Sequence, residues 1–154
     1  MNIFIKDLQK DLPLKHEEQK LKKLVGALLK HLKQDFNEVS ITFVSAPLMK
    51  KLHKEFFNDS SLTDCISQPM DAHDEEGYKV LGEIFVCPKA AINYAKEHQI
   101  DPYRETTLYV IHGLLHLLGY DDIQEKDIKK MRKAEQSCLG FLQKKRLLLK
   151  EKSI

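Results

Sequence analysis

VIHGLLHLLGYDD, residues 110–122, is the one tight cluster of metal-competent side chains in this 154-residue chain, and the rest reads as its support. An α-helix turns about 100° per residue, so His112 and His116 fall about 40° apart on one face and about 6 Å apart along the axis. Two imidazoles so placed can share one ion. Leu114, Leu115, Leu117 and Leu118 put hydrocarbon on several faces of the same helix, which predicts a buried rather than a solvated element. Gly119 stops it, because glycine accepts the left-handed conformation common just past a helix end. The chain can then turn sharply and return Tyr120, Asp121 and Asp122 toward the histidines.

A bare His-x-x-x-His pair is as readily two core histidines as two ligands. The added glycine three residues after His116, and the acidic Asp122 three beyond it, reproduce the ligand spacing of the long zinc-peptidase motif and favour a metal. One position departs from peptidase chemistry: the residue after the first histidine, where those enzymes carry their general-base glutamate, is Gly113.

HGLLHLLGYDD resembles the HGxLHLxGYDH signature of the YbeY family, zinc-dependent single-strand endoribonucleases of ribosomal RNA maturation and ribosome quality control. VSITFV at residues 39–44, followed by LMKKLH, then TDCISQP at residues 63–69 and LGEIFV at residues 81–86, resemble in order that family's sheet strands, its PTDVLSFP segment and its LGDI segment. The resemblance spans roughly residues 37–135. It implies an α+β fold, a mixed sheet of about four strands covered by helices, with the metal site on a central buried helix. It also implies an enzyme whose partners are ribosomal RNA and the small ribosomal subunit.

Two departures from the family pattern bear on chemistry. The family's third ligand is histidine, and here that position is Asp122; a His112–His116–Asp122 set still suits zinc with a fourth position open, and its carboxylate admits manganese or nickel. Where the family has tyrosine then arginine, this chain has Phe56 and Phe57. Arg104 is the expected substitute cation, and Asp64 and Asp121 are expected to orient ligands or substrate, since metal-bound imidazoles need an acceptor that fixes their tautomer. The expected reaction is metal-assisted phosphodiester cleavage, the alternatives being a non-catalytic ribosome-binding factor with a structural metal and a zinc metalloprotease.

Outward from the motif, the length suits one domain, residues 1–154, and the chain is expected to act as a monomer. No apolar run approaches a bilayer span, and the N-terminus has no signal-peptide form, so a cytoplasmic chain with no membrane role is expected. Cys65, Cys87 and Cys138 are too few and too far apart for a disulfide framework or a thiolate zinc site. The net charge of +2 is too mild to identify a nucleic-acid partner. Alternation predicts strands at residues 2–6, 38–44 and 80–87, with Gly82 marking a bulge or a close approach, and an extended segment at 63–68 ending at a sheet edge by Pro69. Helical spacing and proline starts predict helices at residues 16–33, 47–54, 88–98, 102–118 and 127–149. Residues 56–61 read as a loop, and residues 70–79 as a polar connection turning at Gly77, with His73 solvated. The basic end, Lys144-Lys145-Arg146 and Lys150, reads as a solvated tail and secondarily as an RNA handle.

Overall fold

The computed structural model describes residues 2–73 and 77–153, without the side chains of residues 71–73; the expectation for His73 therefore lies outside the described residues. Four strands, β1 (Asn2–Leu8), β2 (Glu38–Val44), β3 (Cys65–His73) and β4 (Lys79–Val86), form one sheet in the order β1-β2-β4-β3. β1, β2 and β4 run parallel, and β3 is antiparallel to β4. The helices are α1 (Glu18–His31), α2 (Ala46–Phe57), α3 (Pro88–His98), α4 (Pro102–Leu117) and α5 (Glu125–Lys144). The fold is α+β, as the sequence predicts.

Strand alternation divides the molecule into two unequal cores. Val39, Ile41, Phe43, Ile84 and Val86 face one way and share a cluster with apolar residues of α1, α4 and α5. Val44 and Ile66 face the other way and pack with Met49 of α2 and Cys87. α4 lies in the large core. Eleven of its residues are buried, which confines its polar face to the side that carries the two histidines.

Local sequence signals account for the element ends. Ser45 caps α2, its side chain accepting from the Leu48 amide at 3.5 Å, and Asn58 closes α2 in the left-handed conformation. Phe56 and Phe57 therefore belong to the last turn of a helix and not to a loop. β3 runs on past Pro69 into the polar stretch expected as a connection, because it is an edge strand where proline and charge are tolerated. α5 stops at Lys144, five residues short of expectation, and Arg146 takes a left-handed φ of 58°. The residues beyond it form no loose tail. Leu149 is buried, its amide donates to Thr107 Oγ1, and the Lys150 amide donates to Glu17 Oε2.

The predicted irregularity at Gly82 is both a bulge and a close approach. Register with β2 shifts between Glu38 and Val39, so that Val80 and Gly82 face consecutive residues. Gly82 has φ +145°, and a Cβ there would meet Gln68 O at 2.4 Å and Leu117 Cδ2 at 2.8 Å. The end of the metal-motif helix thus beds directly on the sheet.

Candidate metal centre

α4 starts where Asp101 accepts from the Tyr103 amide at 2.9 Å and Pro102 sets the first turn. Further along, Gly113 presses against the sheet: a Cβ would meet Ile84 Cγ2 at 2.6 Å and Cys65 Sγ at 2.8 Å, and Ser67 Oγ donates to its carbonyl at 3.0 Å. That contact fixes the rotation of the helix and turns His112 and His116 away from the sheet. It also leaves no room for the peptidase glutamate, which would sit in packed hydrocarbon.

Gly119, at φ +99°, then reverses the chain. Its amide donates to His116 O and the Tyr120 amide to Leu115 O, each at 3.0 Å. The turn has two products. Tyr120 O becomes the acceptor for His116 Nδ1 at 3.0 Å, and Asp122 Oδ2 comes to 3.5 Å from Nε2 of both His112 and His116. The two Nε2 atoms are 3.0 Å apart.

The partners of the two Nδ1 atoms decide what those three atoms are. His112 Nδ1 lies 2.5 Å from Glu135 Oε2, and the Glu135 side chain is only 1% exposed. An ionised carboxylate and a backbone carbonyl can only accept, so both rings carry their proton on Nδ1 when neutral. Both Nε2 lone pairs then converge with a carboxylate oxygen, three acceptors with no proton among them. Such an arrangement calls for a cation. Tetrahedral zinc at bond lengths of about 2.0–2.2 Å puts its ligand atoms roughly 3.3–3.5 Å apart, close to the spacing here. The group His112, His116 and Asp122 could therefore bind a divalent metal ion, and it is the one such group among the described residues.

The electrostatics point the same way. Burial pulls the His112 pKa down, but the hydrogen bond and charge of Glu135, with Asp64 and Asp122 adding, raise it overall. Burial pushes the Glu135 carboxyl up, yet the His112 and Arg132 hydrogen bonds and charges bring it below the usual carboxylate range. Glu135 is thus an anion held inside the protein by one ring and by Arg132 Nη1 at 3.0 Å.

A cleft of about 530 Å³ opens beside His112, and Asp64, Glu105, Asp122, Arg132 and Glu135 supply its charged lining. Asp64 lines the cleft, and its carbonyl accepts from the Cys87 amide at 3.0 Å. Arg104 is exposed and lies outside that lining. Helix geometry gives the reason: residue 104 is eight positions before His112, about 80° round the helix, whereas Glu105 at seven positions is only about 20° off. Asp121 is exposed and accepts from the Asp122 amide at 2.7 Å, so it shapes the loop while Glu135 and Tyr120 O orient the imidazoles. Sequence spacing did not single out Glu135, although a signal was available. It falls on the apolar stripe of α5 with Met131, Cys138 and Leu142, where a carboxylate needs a buried partner.

A family model described as Endoribonuclease YbeY matches residues 3–143. The chain belongs to the YbeY family. Its relatives include proteins named Endoribonuclease YbeY from Protochlamydia amoebophila, 48% identical over 137 residues, 89% of this chain and 91% of that one, and from Chlamydia pneumoniae, 42% identical over 133 residues, 84% of each. The solution structure of a Thermotoga maritima protein is similar at 26% identity with a TM-score of 0.59, covering 94% of this chain and 95% of that one. The YbeY resemblance seen in residues 37–135 thus extends across most of the sequence. No helix of the described residues is long and apolar enough to cross a membrane.

Proposed function

We propose that this chain is a metal-dependent single-strand endoribonuclease, a one-domain cytoplasmic monomer acting in maturation of small-subunit ribosomal RNA and ribosome quality control. The observation that carries this reading is the meeting of His112 Nε2, His116 Nε2 and Asp122 Oδ2 within 3.5 Å of one another, on the wall of an open cleft. The names of its YbeY relatives support RNA as the substrate. Zinc is the expected ion, with manganese or nickel accepted through the Asp122 carboxylate.

A divalent ion, which His112, His116 and Asp122 would hold, would supply Lewis-acid chemistry for phosphodiester cleavage. The chain supplies the rest. Glu135 and Tyr120 O hold each ring in the tautomer that presents Nε2. Gly113 locks the helix rotation on which both rings depend. Asp64 lines the cleft as a carboxylate acceptor that can orient a hydroxyl or water.

The test combines elemental analysis of purified protein with cleavage of a single-stranded ribosomal RNA fragment, for wild type and Asp122→Ala. The expected result is about one divalent ion and metal-dependent cuts in wild type, with both lost in the variant. Analysis of the product ends then tells whether water or the ribose 2′-hydroxyl attacks. Wild type that binds ribosomal subunits equally well with and without metal, and cuts no RNA, would instead establish a non-catalytic binding factor.

A further inference from the structure

The metal-centre cleft is electrically lopsided in a way that the ligand set does not explain. Among the described residues, Arg132 is the single permanently cationic side chain in its lining, and it is tied to the His112 end through Glu135. Glu105 lies two helical turns before His112 on nearly the same face of α4, about 10 Å along the axis. It is 8% exposed, and the hydroxyl of the buried Tyr109, one helical turn on, acts to lower its pKa. Tyr94 and Leu108 complete that far end, and the Tyr94 ring stacks on His98 at 3.9 Å and 16°. Asp64 shares the lining, and its charge acts on Glu105 and on His112 alike.

We infer that the cleft is a one-nucleotide subsite, with its phosphate pole at Arg132 and its nucleoside pole at Glu105, Tyr109 and Tyr94, selective for a base that carries an exocyclic amino group. This assignment rests on the ribonuclease reading for the identity of the ligand as RNA.

The phosphate pole follows from charge. The carboxylates of the lining, Asp64, Glu105, Asp122 and Glu135, repel a phosphate, whereas only one of the five donors of Arg132 is engaged and its side chain is 67% exposed. A guanidinium so placed can give a phosphate a bidentate contact while it remains on Glu135. The carboxylate end of this pair is buried, so Arg132 holds Glu135 through one nitrogen and keeps its other donors on its exposed side.

The nucleoside pole follows from the remaining chemistry. Aromatic faces accept a flat base by stacking. A carboxylate offers acceptors and no donors, so it favours the amino group of cytosine over the carbonyl that uracil presents at the same position. Burial raises the Glu105 pKa, the Tyr109 hydroxyl opposes the rise and the Asp64 charge adds to it, which leaves a carboxyl that gains from a further donor. The cleft volume of about 530 Å³ lies within the usual range for small-ligand sites, roughly 300–1,000 Å³.

The experiment is a chemical-shift titration of the zinc-loaded protein with cytidine monophosphate, uridine monophosphate and inorganic phosphate, with RNA cleavage measured on the same samples. Wild type should bind the cytidine nucleotide about tenfold more tightly than the uridine nucleotide. Arg132→Gln should weaken all three probes by about tenfold or more, and Glu105→Gln should abolish the cytidine preference while leaving phosphate binding unchanged. Tyr109→Phe, which removes only the hydroxyl that positions Glu105, should reduce the preference and serves if Glu105→Gln lowers the melting temperature. Equal affinity for the two nucleotides in wild type, or unchanged phosphate binding in Arg132→Gln, would overturn the subsite. Nucleotide selectivity without any RNA cleavage would sink the ribonuclease reading and leave the subsite standing; cleavage with flat nucleotide binding would do the reverse.

Discussion

Glu135 is the residue on which the chemistry of the centre turns, because it sets which nitrogen of His112 carries the proton. Replacing it with glutamine keeps the shape and removes the charge, and metal affinity should fall about 10–100-fold in a chelator competition, with little change in circular dichroism. The pH dependence of the metal-free protein has a definite sign. Glu135 is shifted below its ordinary 4.5, so its contribution is present above that value and is lost as pH falls through its depressed pKa. His112 is shifted above its ordinary 6.5, so its contribution is full below 6.5 and is lost as pH rises through its raised pKa. Urea midpoints of the apoprotein should therefore peak between about pH 4.5 and 6.5, and Glu135→Gln should flatten that peak. Zinc affinity should move the opposite way on the alkaline side, rising with pH as His112 gives up its second proton.

At the scale of elements, the metal helix is held from both sides, and glycines mark where. Gly113→Ala drives a methyl group into Ile84 and Cys65, and a loss of roughly 1–3 kcal/mol in urea unfolding is expected. Residues 110–122 are readable because helical spacing, a glycine stop and a returning carboxylate are all local in sequence. Gly82 is readable because a glycine inside an apolar strand has few other uses. The helical state of Phe56 and Phe57 is not, since it depends on where Asn58 closes the helix. The roles of Glu135 and Arg132 are hidden for a different reason: α5 reaches His112 only through tertiary packing, and nothing local says which carboxylate the imidazole meets. Arg104 attracts notice by its sign of charge alone, and the roughly 80° of helix rotation between it and His112 decides against it.

Across the whole molecule, the last residues close the helical layer. Leu149 is buried, the backbone amide of its neighbour Lys150 donates to the buried Glu17, and Lys20 forms an ion pair with the same carboxylate at 2.8 Å. Truncation after Lys144 strips this strap, and the melting temperature should fall by several degrees, corresponding to roughly 1.5–3 kcal/mol for one fully buried leucine, while metal content stays the same. A tail that served only to hold RNA would leave the melting temperature untouched. The opposite face of the sheet is more open, with Phe4 50% and Leu8 57% exposed on the edge strand, whereas the metal-binding groups all lie on the helical side. Metal dependence is checked most simply by a zinc titration of chelator-stripped protein with single-stranded RNA cleavage followed in the same tube. Activity should rise linearly and break at one ion per chain, and His116→Ala should show neither the break nor the activity. Cleavage at full rate by the stripped protein, or saturation with zinc that leaves the RNA intact, would contradict a metal-dependent ribonuclease.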